Sequence, residues 1–198
     1  VTPLVTGITT ANNGNWNVGT TWTGGVVPTS SQNAIINHNV TLDVNVTRNL
    51  GTTTTINAGA GKSLATGAFT YTNDGTTNVD GTLTIQNGGY VNGTTNLVYG
   101  PASTLVMAHA SGTPYVVGAG QRFWPVANPP FNVSLAGNSP TQLNMVVGPV
   151  DGQLIIAAGL DVVTANALTV NGTLRINANG FINTNSPIYG AASTLTYN

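Results

Sequence analysis

The sequence predicts an all-β chain: a single-stranded, right-handed parallel β-helix, or β-solenoid, with coils of about 20 residues. Three observations predict it: an internal repeat, leucines at a coil-length spacing, and turn dipeptides too closely spaced for ordinary hairpins. Residues 79–105, VDGTLTIQNGGYVNGTTNLVYGPASTL, align with 170–195, VNGTLRINANGFINTNSPIYGAASTL, after one deletion, with 13 identities over 27 positions. A shorter period lies inside this repeat. Leu42, Leu64, Leu83 and Leu105 are 22, 19 and 22 residues apart, and Leu154, Leu174 and Leu195 are 20 and 21 apart. In a parallel solenoid such residues stack coil over coil and fill the interior, while the backbones pair between coils.

Helix signals are nearly absent: β-branched residues dominate, glycine interrupts every potential heptad, and no window keeps apolar residues at three- and four-residue spacing. Short apolar runs between Asn, Asp and Gly read as strands of about five residues. They are AIIN (34–37), VTLDVNV (40–46), TLTIQ (82–86), NLVY (96–99), STLVM (103–107), NMVV (144–147), QLIIAA (153–158) and TLRIN (173–177). Asn87-Gly88 and Asn92-Gly93 lie five residues apart, and Asp74-Gly75 and Asp80-Gly81 six apart. Hairpin arms need more length than that, so these dipeptides read as solenoid corners.

In chain order, residues 1–33 form an N-terminal cap segment, whose Trp16 and Trp22 plug the open first coil, and 34–107 form regular coils. Residues 108–152 form an irregular coil or protruding loop, crowded with Pro114, Pro125, Pro129, Pro130 and Pro140 alongside Tyr115, Arg122, Phe123 and Trp124. Coils resume over 153–198, in one continuous domain. An antiparallel sandwich is the alternative architecture. Composition follows from the solenoid: the 32 Thr and 26 Asn suit strands and left-handed corners respectively.

Charged residues make up 5% of the 198 positions, against about 25% in ordinary domains. Four scattered cations, Arg48, Lys62, Arg122 and Arg175, give no stripe to neutralise phosphates, which argues against nucleic-acid partners. No apolar run approaches the length of a spanning helix, which argues against membrane insertion. Without Cys there are no disulfides, thiolate metal sites or cysteine nucleophiles. The opening VTPLVTGITT lacks signal-peptide features, and together with low Lys, absent Glu and abundant Thr, Asn and Gly it leads us to expect a mature secreted or cell-surface chain.

The segment GNWNVGTTWTGGVVPTSSQNAIINHNVTLD resembles the opening part of bacterial cell-surface parallel β-helix, adhesin-like proteins exported by the type IX secretion system. The NGTLTI-type coils, the YG-x-x-STL segments at Tyr99–Leu105 and Tyr189–Leu195, and RFWP at 122–125 are similar to the same group. The resemblance implies a β-helix and a surface location; it carries no catalytic residue to transfer. The sorting tail typical of such proteins is not in this sequence, which cleavage, truncation or a longer parent chain would each explain.

Reactive groups are sparse: His38, His109 and five Asp. Asp74, Asp80 and Asp151 each precede Gly and are expected to bond their own turns. Asp43 with Asp161 as a glycosidase pair would need a long-range contact. His38 has no second ligand at metal spacing, and His109 with Ser111 lacks an elbow or orienting acid. The expectation is therefore no catalytic, metal or cofactor site. Asn39, Asn45, Asn92, Asn132 and Asn171 head glycosylation sequons, about the number that random order would give. Thr-x-Thr pairs are too unevenly spaced for a flat ice-binding face.

The function expected is an extracellular structural and adhesive solenoid, part of a bacterial adhesin or stalk. Tyr115, Arg122 and Trp124 are the residues singled out for carbohydrate contact, because aromatics stack on sugar faces and Arg donates to hydroxyls; the structural alternative is an aromatic cluster sealing the loop. Partners would be surface glycans or other copies of the chain. The second function is a self-assembling filament subunit stacking through open coil ends, and a third is a polysaccharide-active enzyme.

Overall fold

The computed structural model describes residues 7–110, 114–118 and 120–198. It is an all-β solenoid of about eight turns of roughly 21 residues; among the described residues every strand-to-strand ladder is parallel and the only helical turns are short 3-10 turns at Gly19–Thr21 and Thr23–Gly25. Each coil visits three faces in turn. One face is a single sheet of nine strands running the length of the molecule: Gly14–Asn15, Asn39–Thr41, Ser63–Ala65, Thr82–Gln86, Thr104–Ala108, Asn132–Leu135, Gln153–Ile156, Thr173–Ile176 and Thr194–Tyr197. At the usual strand spacing these nine strands span about 40 Å.

The expected leucine ladder is present on this face. Leu64 pairs with Leu83, Leu83 with Leu105, Leu154 with Leu174 and Leu174 with Leu195, while Val133 bridges Leu105 to Leu154. From Leu64 to Leu174 these side chains are buried, and a second inward row of Ile85, Met107, Leu135, Ile156 and Ile176 runs beside them. Leu42 is a correction: Val40, not Leu42, pairs with Leu64. The VTLDVNV run is two strands, because the chain turns a corner between Asn39–Thr41 and Val46–Arg48. NMVV is not a strand either; Thr141–Leu143 carries the ladder just before it, and Val146 is exposed.

Asn stabilises the coils by a route other than the one expected. Among the described residues only Asn128 and Asn179 take a left-handed conformation. Instead, corner Asn side chains accept a backbone N–H from the next coil: Asn13 from Asn39, Asn33 from Thr53, Asn45 from Thr70, Asn87 from Ala110 and Asn132 from Gln153, at 2.7–2.9 Å. Asp74 does the same, accepting from the N–H and hydroxyl of Thr94 at 2.9 Å, and Asp151 accepts from the Asn171 amide at 2.7 Å. These carboxylates therefore clamp the following coil.

The cap holds together as an aromatic plug. Trp16 and Trp22 are buried and meet edge to face at 5.0 Å, with the Trp22 indole donating to the Trp16 carbonyl at 2.7 Å. Buried Arg48 lies over Trp16 and donates to the carbonyls of Thr29 and Gln32, fastening residues 29–32 to the second coil. Its inward position follows the alternation Val44, Val46, Arg48.

The described part of the 108–152 stretch is irregular but not a free protrusion, since Tyr115–Val117, Asn132–Leu135 and Thr141–Leu143 all join sheets. Its effect is to break the other two faces. The first face runs from Ile8–Thr9 through Ala34–Ile36, Thr53–Ile56 and Thr76–Val79 to Val98–Tyr99, and resumes only at the Val150–Val170 bridge. Pro125, Pro129 and Pro130 fall in the gap, and a residue without an N–H cannot donate to a ladder.

Candidate functional site

The third face is built from two sheets. Val46–Arg48, Thr70–Asn73 and Tyr90–Asn92 form one; Tyr115–Val117, Thr141–Leu143, Asp161–Thr164 and Phe181–Asn183 form the other. Tyr90–Asn92 and Tyr115–Val117 belong to consecutive coils, yet they do not pair. The chain instead doubles back, so that the Arg122 N–H takes the Val91 carbonyl at 3.0 Å and Arg122 Nε donates to the Gly93 carbonyl at 2.9 Å.

Where the two strands fail to meet, a cleft of about 310 Å³ opens, lined by Asn87, Gly88, Gly89 and Tyr90 from one coil and His109, Pro114 and Tyr115 from the next. Gly88 supplies the left-handed corner, at φ 74°. Asn87 is fixed by its clamp on the Ala110 N–H. The His109 ring stacks on Tyr115 at 3.5 Å and 16°, and is 4% exposed. Its Nε2 has no hydrogen-bond partner among the described residues. Burial lowers the His109 pKa to about 4, so the imidazole is neutral at physiological pH. The Tyr115 hydroxyl donates to Gln121 Oε1 at 3.1 Å, and Gln121 Nε2 donates to the Val116 carbonyl at 2.9 Å. Burial pushes the Tyr115 phenol well above its ordinary range. Among the described residues, the cleft lining thus carries aromatic rings, an amide and peptide groups, and no charge.

The three residues singled out for carbohydrate contact fare differently. Tyr115 lines the cleft. Arg122 is half-buried, with Nε committed to the Gly93 carbonyl. Trp124 is a correction: it is 1% exposed, its indole donates to the Gly148 carbonyl at 3.1 Å, and no ring face is open to a sugar. With Phe123 it fills the interior of the irregular coil, as the structural alternative for these aromatics anticipated. Tyr90 and Asn87 were missed. The available signal was the repeat itself, which aligns Tyr90 with Phe181 and so marks an aromatic at a corner exit.

The sparse reactive groups do not converge. Asp43 lies in the second coil and accepts the Asn17 N–H at 2.8 Å; Asp161 starts a strand five coils on, roughly 24 Å away at the strand spacing, beyond the reach of a glycosidase pair. His38 Nδ1 bonds the Thr10 hydroxyl at 2.9 Å. Ser111 lies outside the described residues, and no group of three or more metal-ligating side chains occurs among those described. Of the sequon asparagines, Asn39 and Asn45 are exposed, Asn92 is half-buried, Asn132 uses both ends of its amide between coils, and Asn171 donates to Asp151.

No family model matches the chain, and neither a curated protein nor a solved structure does.

Proposed function

We propose that the chain is an extracellular structural and adhesive solenoid, a rigid segment of a bacterial surface adhesin or stalk that performs no catalysis. The observation that carries this reading is the nine-stranded sheet, which links every coil from Gly14 to Tyr197 without interruption. A quasi-one-dimensional stack of this kind transmits load from coil to coil and displays long lateral faces. The outward positions of that sheet are mainly small and uncharged, with Ser63, Thr82, Thr104, Asn132, Gln153, Thr173 and Thr194 in one row. The resemblance of the cap segment and the RFWP segment to type IX-exported adhesin-like proteins supports a surface location. Immunogold labelling of intact cells tests it: the reading expects label on unpermeabilised cells that is lost on protease shaving, and label appearing only after permeabilisation contradicts it.

A second reading is end-to-end assembly of copies, drawing on the in-register parallel stacking by which each coil pairs with the next. Negative-stain electron microscopy of the purified chain decides, with fibres supporting assembly and isolated short rods opposing it.

A further inference from the structure

The cleft between Tyr90–Asn92 and Tyr115–Val117 is a built discontinuity, since it is where two consecutive coils leave the third-face ladder unmade while the same coils stay paired through Thr82–Gln86 and Thr104–Ala108. We propose that this cleft binds a single neutral hexose unit of a glycan, with Tyr90 and Tyr115 supplying ring surface and Asn87 with the Gly88–Gly89 backbone supplying hydrogen bonds. The proposal rests on the adhesive reading above and gives it a ligand class and a place.

Three features select this occupant. The volume, about 310 Å³, lies at the small end of the range for small-molecule sites, about 300–1,000 Å³, and suits one sugar ring better than a chain of them. Among the described residues the lining is uncharged: His109 is held neutral by burial, and no Lys, Arg or Asp lines the cleft. An ionic ligand would find no counter-charge there, whereas a hydroxyl-rich neutral one needs aromatic faces and amide groups. The third feature argues against an added peptide strand. Strand addition uses free edge carbonyls and N–H groups, but the Val91 carbonyl already accepts from Arg122 and the Val116 carbonyl from Gln121.

The test is chemical-shift mapping of the whole isotope-labelled chain against methyl α-glucoside, methyl β-galactoside, methyl α-mannoside and the anionic methyl β-glucuronide. The expected result is that at least one neutral hexoside shifts the signals of Asn87, Tyr90 and Tyr115 together, with an affinity insensitive to salt. Tyr90→Ala should weaken that binding at least roughly tenfold, whereas Val126→Ala, an exposed change away from the cleft, should leave it unaltered. The proposal is overturned if no neutral hexoside shifts those signals, if only the glucuronide does, or if a folded Tyr90→Ala binds as the parent does. The wild-type map decides by itself should Tyr90→Ala fail to fold. Hexoside binding by a chain that never reaches the cell surface would keep the site and remove the adhesive reading; surface labelling with an inert cleft would do the reverse.

Discussion

The sheet carrying the leucine ladder and the third face are made by the same coils, yet the first is continuous over nine strands and the second breaks between Tyr90–Asn92 and Tyr115–Val117. The difference lies in what each coil contributes. On the continuous sheet every coil from Val40 onward offers N–H groups and a large inward aliphatic residue at a matched position, so each coil is a template for the next. On the third face the chain after Thr104–Ala108 reaches Tyr115–Val117 late, and Arg122 substitutes at the Val91 carbonyl. Stability thus resides in the repeated ladder, and the cleft beside Tyr90 and Tyr115 sits where the ladder lapses.

If that division is correct, the largest loss should come from the continuous ladder. Leu83→Ala, in a site buried between Leu64 and Leu105, should cost about 2–5 kcal/mol in urea unfolding followed by circular dichroism. The outward neighbour Thr84→Ala should stay within about 0.5 kcal/mol. Equal effects would erase the inward–outward distinction. The corners come next. A Cβ at Gly81 would meet the Asn57 and Lys62 carbonyls at 2.5 Å, so Gly81→Ala should cost about 1–3 kcal/mol. Gly61→Ala has open space around it and bears only the penalty of φ +74°, about 1–2 kcal/mol.

The inter-coil clamps should be smaller but uneven. Asn132→Ala removes the acceptor for the Gln153 N–H within the sheet and should cost about 1–3 kcal/mol. Asn45→Ala, at an exposed corner where water can replace the amide, should cost less than about 1 kcal/mol by the same denaturation measurement.

The broken face adds a pH dependence. His109 has a folded pKa of about 4 against 6.5 for the free group, so between those values the unfolded chain binds the extra proton. Its contribution is fully present above about pH 6.5 and is lost as pH falls toward 4. Thermal unfolding across that window should show the midpoint falling with acidification, and His109→Asn should flatten the slope. An unchanged slope would mean the imidazole is not sealed beneath Tyr115.

How much of this was legible in the sequence follows the same division. Leu64, Leu83, Leu105, Leu154, Leu174 and Leu195 announce the continuous sheet because a buried aliphatic must recur once per coil. Thr53–Ile56, Thr70–Asn73 and Thr76–Val79 were not announced, because each puts a polar residue, Thr54, Asn73 or Thr77, at one of its two inward positions. Buried Asn73, Thr77 and Tyr71 satisfy one another, with Thr77 Oγ1 donating to Asn73 Oδ1 at 2.7 Å and lying 2.9 Å from the Tyr71 hydroxyl. The cleft was half legible: Tyr115 stands out among prolines, whereas Asn87 and Tyr90 read as an ordinary corner. Their meeting depends on a ladder that fails to form, and no spacing encodes an absence. Trp124 misled because a large aromatic in a proline-rich stretch looks exposed when it is in fact filling the wide coil.

The stacking itself is tested most directly by paired cysteines in this cysteine-free chain. Thr82 lies beside Thr104 and Gln86 beside Ala108 in the parallel register, at a separation within disulfide reach. The account predicts that the Thr82→Cys/Thr104→Cys and Gln86→Cys/Ala108→Cys variants oxidise readily to intramolecular disulfides, while Thr82→Cys/Ala108→Cys and Gln86→Cys/Thr104→Cys do not. Cross-linking of the second two pairs in place of the first would show neighbouring strands running in opposite directions, and would contradict the solenoid.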